Sequence, residues 1–533
     1  MALFKALVEI FGGLVLFLYG IHFLSEGLEQ VAGSKLQEML EKLTNNPLKG
    51  SLFGACATAL LQSSSLLMVT MIGLINANLL TLEQAIGVML GQEIGTTMTA
   101  QLVAFKMGDF FFAFLIGGFI LFSFFKEKRY NLAGKIFFAI GIIFLGMGIM
   151  SSGAGSIKDN PFFFALLVRF SQNLLLALLA GAVFTAIIQS SSAMTGLVIA
   201  MGVAGTINLP VAIALIFGAN IGTCITGFLA SLKSCTTSKR ASFAQIFINI
   251  GGVLIFLPFI IPFSQLVLLT SSQLPRQIAN AHALFNIMVS VIMFPFIKPL
   301  VRLLEWAIPG ETQKKIRKTL FIDDNLLNVP FLALSKAEDE VNRLSMIAYT
   351  MLEETDKAFL QRNTKAAKKA YEKEPLIDEL ANIIEAFLDR IPDNQLSEEE
   401  RKKLNRLKST IVDIERVGDL SYNLVEFSQK MIEEKITLSP KAHEEVTLFF
   451  GKVRQCYKLA VRSIKEGSEA VSAQVVGMEN EIDNLEKQFK ENHIHRLRNK
   501  VCNPKADTIF IETLRNLERI GDHSDNIGRA SRF

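Results

Sequence analysis

Long apolar segments separated by short polar stretches fill the chain to about residue 301, and charged residues at helical spacing dominate from about 335 to 533. A helix needs roughly 20 mostly apolar residues to cross a hydrocarbon core about 30 Å thick. Segments that meet this requirement lie near 6–25, 82–104, 109–125, 134–152, 209–230, 242–263 and 279–300. The pattern predicts an all-α protein, with a polytopic membrane domain followed by a water-exposed bundle of helices.

Two further apolar segments, 50–76 and 173–206, are each interrupted near the middle by the tetrapeptide Gln-Ser-Ser-Ser. Its residues are Gln62, Ser63, Ser64 and Ser65 in the first segment and Gln189, Ser190, Ser191 and Ser192 in the second. Lipid cannot satisfy exposed N–H and C=O groups, so irregular backbone at membrane depth is tolerated only where protein buries it or a cavity adjoins it. Each segment is therefore predicted to be a broken or re-entrant helix.

The tetrapeptide belongs to a larger duplicated block. At a shift of 189 − 62 = 127 residues, without a gap, Gly54 matches Gly181, Thr58 matches Thr185, Gly91 matches Gly218, and Gly95-Thr96 matches Gly222-Thr223. Glycines and hydroxyls that recur in register indicate two copies of one structural unit.

The distribution of cations predicts how the two copies are oriented. If each interrupted segment returns to its own side, most cations fall on one face, which the positive-inside rule assigns to the cytoplasm. These cations are Lys35, Lys42, Lys49, Lys126, Lys128, Arg129, Lys135, Lys233, Lys239, Arg240, Lys298 and Arg302. The copies, about 5–130 and 134–300, are then inverted repeats; full crossings would make them parallel.

These patterns predict a transmembrane domain over 1–303, a linker over 304–334 and a cytoplasmic helical domain over 335–533, in a protein of the cell (plasma) membrane. The net charge of +4 is small and the cations adjoin apolar segments, so no nucleic-acid surface is indicated. The five cysteines show no CxxC or zinc-type spacing. The stretch 8–25 lacks a cationic leader and a cleavage site, so we expect a retained helix. No catalytic constellation is visible, and no enzyme is predicted.

The interrupted segments carry polar groups but no cationic side chain, because no Lys or Arg lies between Lys49 and Lys106 or between Arg169 and Lys233. An anion bound there must be held by hydroxyls, amides, backbone N–H groups and the positive ends of helices. Small cations coordinated by nearby oxygens would balance its charge, and sodium is the expected ion. A joint site for cation and anion is the physical basis of coupled transport.

A second element follows in each copy, with Thr96 and Thr99 in the first and Thr223 and Thr226 in the second. Thr residues at i and i+3 share one helix face, so each pair can direct two oxygens at one ion. Glu93 stands where the second copy has Asn220, and an intramembrane carboxylate is costly enough to be a functional candidate. The alternative for any single Ser or Thr is close helix packing, which small residues also permit.

The second half of the chain has its own duplication, of carboxylate pairs at i and i+4 on one helix face. The pairs are Glu374/Asp378, Glu415/Asp419, Glu479/Asp483 and Glu518/Asp522. Facing pairs of this kind can hold hard metal ions. The alternative is a solvated helix face with Arg416 and Arg519 as ion-pair partners. The histidines are expected at the surface and not as ligands: His443, His493, His495 and His523.

Both Gln-Ser-Ser-Ser blocks, the run GANIGT at 218–223 and the run AHALFN at 281–286 resemble the bacterial branch of the type II sodium-phosphate cotransporter family. The resemblance covers about residues 5–300 and implies sodium-coupled uptake of inorganic phosphate. The chain departs from the family pattern at Leu66-Leu67-Met68, where further hydroxyls are usual, and at Glu93, where Asn is usual. The expected phosphate ligands are Gln62, Ser63, Ser64, Ser65, Gln189, Ser190, Ser191, Ser192 and Asn220. The expected sodium ligands are Gln62, Glu93, Thr96, Thr99, Gln189, Ser190, Asn220, Thr223 and Thr226.

The carboxylate pattern over about 335–533 resembles PhoU, the phosphate-regulatory protein built from two three-helix bundles that bind metal clusters. This resemblance implies divalent or transition metal ions on the eight carboxylates. We predict a sodium-coupled transporter of inorganic phosphate that works by alternating access in the lipid bilayer and is regulated by its PhoU-like domain, with a homodimer left open. The alternatives are a membrane-anchored phosphate sensor and a transporter or exporter of another oxyanion.

Overall fold

The computed structural model describes residues 2–43, 46–77, 79–105, 110–125, 127–158, 160–232, 234–310, 319–393, 396–499 and 506–530. Within these ranges all regular structure is helical, which confirms the predicted all-α fold. The chain divides into two compact units, Met1–Lys315 and Ile316–Phe533. This division falls within the stretch 304–334 that we propose as the linker.

The first unit is a set of mostly apolar helices. They are α1 (Ala2–Leu43), α2 (Pro47–Leu61), α3 (Ser64–Asn76), α4 (Leu82–Val103), α5 (Phe111–Phe124), α6 (Lys128–Ser156), α7 (Pro161–Gln172), α8 (Leu174–Ile188), α9 (Ser191–Val203), α10 (Leu209–Ser231), α11 (Thr236–Phe256), α12 (Ile260–Leu268), α13 (Leu274–Met293) and α14 (Ile297–Ala307). Short 3-10 turns join α11 to α12 and α13 to α14.

Five stretches among the described residues are long and apolar enough to cross a membrane. They are Leu3–Leu28, Arg129–Ser156, Leu209–Ser231, Thr236–Leu268 and Leu274–Ala307. Each contains or overlaps a predicted span. The predicted spans near 82–104 and 109–125 correspond to α4, which is long enough but less apolar, and to α5, whose 14 residues are short for a crossing.

Both Gln-Ser-Ser-Ser segments are broken helices, as predicted. α2 ends at Leu61 and α3 begins at Ser64, while α8 ends at Ile188 and α9 begins at Ser191. A further break was not predicted: α7 and α8 meet at an angle of 113° around Asn173. Asn173 begins α8 by accepting a hydrogen bond from the backbone N–H of Leu175, so a side chain favoured at helix starts fixes this bend.

Glycines allow the two helix pairs α2/α4 and α8/α10 to touch backbone to backbone. A Cβ placed on Gly91 would lie 1.7 Å from the carbonyl oxygen of Ser51, and one on Gly218 would lie 1.9 Å from that of Leu178. No side chain fits such a gap, so these duplicated glycines set the distance between the helices. The pattern repeats in both copies, which explains why the glycines recur in register in the sequence.

The two copies are interleaved. α3 of the first copy packs against α10 of the second, and α9 of the second packs against α4 of the first. α11 contacts α3, α4 and α10, and α13 makes the corresponding contacts with α9, α10 and α4. Each helix of one copy thus contacts the same partners as its counterpart in the other copy, with the two copies interchanged. That the two copies have opposite orientations in a membrane stays a prediction.

Two arginines bind carbonyl oxygens at helix ends. Arg240 is buried, and its guanidinium donates to the carbonyl oxygen of Ile308 at 3.2 and 3.0 Å and to that of Gly310 at 3.0 Å. Arg276 donates to the carbonyl oxygen of Gln101 at 3.2 Å. Each therefore satisfies carbonyls that a helix end leaves unpaired. Among the cations assigned to the predicted cytoplasmic face, Lys126 and Lys233 lie outside the described residues.

The second unit is a pair of helical bundles. Its helices are α15 (Pro330–Gln361), α16 (Thr364–Tyr371), α17 (Glu374–Asp389), α18 (Glu398–Glu433), α19 (Pro440–Glu466), α20 (Glu469–Arg498) and α21 (Asp507–Ala530). α15 to α18 pack together, as do α19 to α21, and α18 contacts α21. Apolar residues on one face of each helix form the cores, with Tyr457 and Phe510 among the fully buried side chains.

We expect Gly91→Ala and Gly218→Ala each to destabilise the first unit, because the new methyl group would overlap a carbonyl oxygen of the facing helix. Overpacking of this kind costs about 3 kcal/mol. Gly148→Ala is the matched control, since nothing lies within 4 Å of its Cβ position on α6. Thermal melting of the purified protein in detergent measures the effect; equal melting temperatures in all three variants would contradict the close packing.

Candidate functional site

Each helix break contains a glutamine whose backbone adopts the left-handed conformation. Gln62 has φ 53° and Gln189 has φ 58°. The backbone N–H of each donates to a carbonyl one turn back, that of Thr58 at 2.8 Å and that of Thr185 at 2.7 Å. Non-glycine residues seldom adopt this conformation, so strain is concentrated at both breaks. The duplicated glutamines therefore share one unusual geometry.

The serine after each glutamine caps the next helix. Ser63 Oγ accepts a hydrogen bond from the N–H of Leu66, and Ser190 Oγ accepts one from the N–H of Ala193, both at 3.2 Å. α3 and α9 therefore begin at the interruptions, with Ser64 and Ser191 buried in their first turns. The start of a helix presents N–H groups and a partial positive charge, which favour an anion.

The glutamine side chains differ between the copies. Thr99 Oγ1 donates to Gln62 Oε1 at 2.7 Å, and Gln62 Nε2 donates to the carbonyl oxygen of Ala59 at 2.5 Å. In the second copy Gln189 is exposed, and the buried hydroxyl of Thr226 has no hydrogen-bond partner. The first break is thus bonded to α4, whereas the second leaves its amide and hydroxyl available.

The other predicted threonines behave alike in both copies. Thr96 Oγ1 donates to the carbonyl oxygen of Gln92, and Thr223 Oγ1 donates to that of Ala219, both at 2.9 Å. Their hydroxyl hydrogens are used within the helix, while their oxygens keep lone pairs that can coordinate a cation. This geometry is compatible with the expected sodium role and equally with helix packing.

A pair of buried threonines was not among the candidates predicted from the sequence. Thr58 and Thr185 occupy matching positions one turn before each break, and neither hydroxyl has a hydrogen-bond partner. Each lies against the glycine of the facing helix, Gly95 or Gly222. The sequence signal that could have identified these two threonines was their match at the 127-residue shift.

Glu93 and Asn220 occupy matching positions but have different partners. Glu93 Oε1 accepts hydrogen bonds from Asn249 Nδ2 at 3.1 Å and from Gln245 Nε2 at 3.3 Å, both on α11. Asn220 Nδ2 donates to Asn286 Oδ1 at 3.1 Å, on α13. Sequence reasoning missed Gln245 and Asn249. The signal for them was a pair of amides at i and i+4 in the otherwise apolar part of α11 that follows Ser242.

In the second unit the predicted carboxylates form two clusters. Glu374, Asp378 and Asp419 bring one oxygen each within 4.8 Å of one another, and so do Glu479, Asp483 and Asp522. Glu415 and Glu518 lie on the same helices but outside these triads. Each cluster joins two neighbouring helices of one bundle, α17 with α18 and α20 with α21.

Burial and mutual repulsion raise the pKa of carboxyls in both clusters, including Glu374, Asp378, Glu479 and Asp522. The pKa of Glu518 rises to about 7, chiefly because the group is partly buried and next because Asp522 and Glu486 are near. Clustered carboxylates that repel one another, with one buried oxygen of Asp378 lacking a partner, suit a hard metal ion. The donor set therefore fits the metal that the sequence predicts.

One ion pair near the clusters agrees with the alternative interpretation, in which the carboxylates lie on a solvated helix face and pair with arginines. Arg416 Nη1 donates to Asp419 Oδ2 at 3.1 Å, the ion pair expected on a solvated helix face. One expectation was wrong: His493 is buried, 2% exposed, and its Nε2 lies 2.7 Å from Asp507 Oδ1 while its ring stacks on Phe510. Apolar packing and one carboxylate hold it inside the second bundle.

Comparison with known proteins agrees with this division. The model of the Na+/Pi-cotransporter family matches residues 16–152 and 161–290, and that of the PhoU domain matches residues 341–428 and 446–531. The chain is also similar to the crystal structure of PhoU from Pseudomonas aeruginosa, at 19% identity and a TM-score of 0.35, over 37% of this chain and 94% of that one.

The similar proteins cover different shares of this chain. YqeW of Bacillus subtilis, an uncharacterized protein, is 34% identical over 56% of this chain and 97% of its own. The Escherichia coli protein named "Putative inorganic phosphate export protein YjbB" is 22% identical over 96% of this chain and 95% of its own. Mouse sodium-dependent phosphate transport protein 2B is 35% identical over 27% of this chain and 20% of its own. The chain belongs to the Na+/Pi-cotransporter family and carries a C-terminal PhoU domain.

Proposed function

We propose that the protein is a sodium-coupled transporter of inorganic phosphate that works by alternating access in the cell membrane. The observation that carries the proposal is the pair of matched helix starts after Gln62 and Gln189, within segments that contain no Lys or Arg. Two matched helix starts, each offering backbone N–H groups, suit a carrier that faces the two sides of a membrane in turn. The family match supports the same assignment.

Phosphate would lie between the two helix starts. The N–H groups of the first turns of α3 and α9, the hydroxyls of Ser64, Ser65, Ser191 and Ser192, and the amide of Gln189 are donors suited to its oxygens. Ser63 and Ser190 act mainly by capping, which holds the turns in place. Asn220 adds an amide from α10 in this proposal.

Sodium would compensate the phosphate charge, because no basic side chain of these segments can. Oxygens of Thr96, Thr99, Thr223 and Thr226, together with the glutamine amides, are the proposed ligands, and Glu93 adds a negative charge. The free hydroxyl of Thr226 is the most available of them, since its counterpart Thr99 already bonds Gln62.

The proposed sites would allow phosphate to move in either direction across the membrane. YjbB is named as an export protein and matches both units of this chain, which favours outward movement as a second candidate. A carrier with two equivalent half-sites moves phosphate either way, as its gradients dictate. The domain over 335–533 is proposed to lie on the cytoplasmic side, in keeping with the predicted positive face.

We expect the full-length protein in liposomes to move radiolabelled phosphate only when sodium is present. Gln189→Ala should lower this flux about 10- to 150-fold, the effect of losing one hydrogen bond to a charged group. The fold should persist, because the Gln189 side chain is exposed. Gln172→Ala, an exposed amide at the end of α7, is the control and should transport normally.

Equal flux in sodium, potassium and choline would contradict sodium coupling. Phosphate binding without flux in either direction would favour the sensor alternative. Inhibition by sulfate as strong as by phosphate would favour another oxyanion as the substrate.

We also propose that the carboxylate clusters hold divalent metal ions and that the second unit regulates transport. A bound metal would supply positive charge between helices that otherwise repel each other. Glu374, Asp378 and Asp419 would hold it in the first bundle, and Glu479, Asp483 and Asp522 in the second. Glu415 and Glu518 would add charge from the same helices.

We expect Glu518→Gln to stabilise the metal-free second unit above pH 7. A carboxyl whose folded pKa of about 7 lies above its unfolded value of 4.5 costs stability as pH rises between these values, and the cost is complete above pH 7. Allowing for solvent screening, the gain is about 1 kcal/mol, or ~2–4 °C in melting temperature. It should vanish below pH 4.5, and Glu491→Gln, at an exposed position, should show no gain. Thermal melts in chelator across this pH range measure it; a pH-independent gain would contradict the assignment.

We expect the double variant Asp419→Asn/Asp522→Asn to bind less divalent metal and to change the rate of phosphate flux without removing its sodium dependence. Each change removes one charge from a triad, while the first unit has its own core. Point changes are preferred to truncation after Val301, because truncation removes the carbonyls of Ile308 and Gly310 that Arg240 binds. Identical flux in wild type and variant, with and without chelator, would mean that the clusters do not regulate transport.

A further inference from the structure

Glu93 is a buried carboxylate with no cationic partner among the described residues. It is 7% exposed, and the groups that donate hydrogen bonds to it, from Gln245 and Asn249, are neutral amides. The sequence has no Lys or Arg from residue 50 to 105, and none from 241 to 275, so neither α4 nor the adjoining part of α11 can neutralise it. A lone negative charge in such a place is costly, because burial removes the water that would stabilise it.

Gln245, which donates to Glu93, has an oxygen atom that lacks a partner. The residue is 2% exposed; its Nε2 bonds Glu93, while its Oε1 is buried without a hydrogen bond. Buried polar atoms are normally paired, so an unpaired amide oxygen on the group that binds a carboxylate points to a missing positively charged ligand.

The residue at the matching position of the second copy is neutral. There Asn220 donates to Asn286, so a neutral amide meets a neutral amide. α4 packs against α11 as α10 packs against α13, which makes the two positions structurally equivalent. At this position the two copies therefore differ by one negative charge, introduced by Glu93.

We propose that Glu93 and the Oε1 of Gln245 form a sodium site between α4 and α11 that the second copy lacks. Asn249 holds the carboxylate in place by donating to Glu93 Oε1, and its own side chain also reaches Cys224 Sγ at 3.5 Å. Carboxylate and amide oxygens are the ligands that a hard cation prefers. This site rests on the proposed function, in which sodium is the coupling ion. It adds one sodium ion to those that the threonines are proposed to hold.

The test is sodium binding and transport by full-length Glu93→Gln, which keeps the shape of the side chain and removes its charge. Equilibrium binding of radioactive sodium to the purified protein, without phosphate, should fall by one ion per chain. In liposomes the net charge moved with each phosphate should fall by one, while phosphate half-saturation at saturating sodium stays within about twofold. Glu83→Gln makes the same change of charge in the first turn of α4 and should alter neither value.

Gln245→Leu keeps the carboxylate and removes the amide oxygen, so it should retain the ion count and weaken sodium affinity about tenfold or more. This variant tests the proposal if Glu93→Gln does not fold. An unchanged ion count in folded Glu93→Gln, or unchanged affinity in Gln245→Leu, would overturn the site. Loss of a pH dependence in Glu93→Gln with no change in sodium count would identify a proton in place of sodium and also overturn it. Phosphate flux that needs no sodium in the wild type would instead refute the proposed function.

Discussion

A helix that is interrupted leaves backbone groups that its own next turn cannot satisfy, and the first unit is built around two such interruptions. The N–H of each left-handed glutamine returns to the preceding helix, and the following serine caps the next one. The remaining N–H groups of α3 and α9 need protein, water or an anion. The breaks therefore create the helix starts at which we propose that an anion binds.

Close packing keeps these breaks fixed. Gly54, Gly91 and their counterparts Gly181 and Gly218 bring α2 against α4 and α8 against α10 with no side chain between them. The hydrogen bond from Thr99 also fixes the Gln62 side chain to α4, whereas the Gln189 side chain has no such bond. The two copies therefore share the same close helix packing but differ in how firmly each holds its glutamine. In the proposed transport cycle this difference would give the two glutamines unequal roles.

The sequence allowed the broken helices to be predicted because four adjacent polar residues in an apolar segment seldom suit an unbroken membrane helix, and the carboxylate clusters because i, i+4 spacing is local. It did not predict the partners of Glu93, since Gln245 and Asn249 lie on a helix more than 150 residues further along the chain. His493 was misjudged for the same reason: its burial depends on Phe510 in another helix. Local spacing indicates which groups share a face, and only packing decides what that face meets.

In our proposal the two units use cations for opposite charge problems. In the first, neutral groups would hold an anion, and cations would accompany it. In the second, carboxylates lie close together, and cations would reduce their repulsion. The ligands differ accordingly: hydroxyls, amides and a single carboxylate suit a monovalent ion, whereas triads of carboxylates suit a divalent one. Sodium and divalent metal would then act on separate units without competing, and the metal state of the second unit could change transport while leaving the coupling ion of the first unit in place.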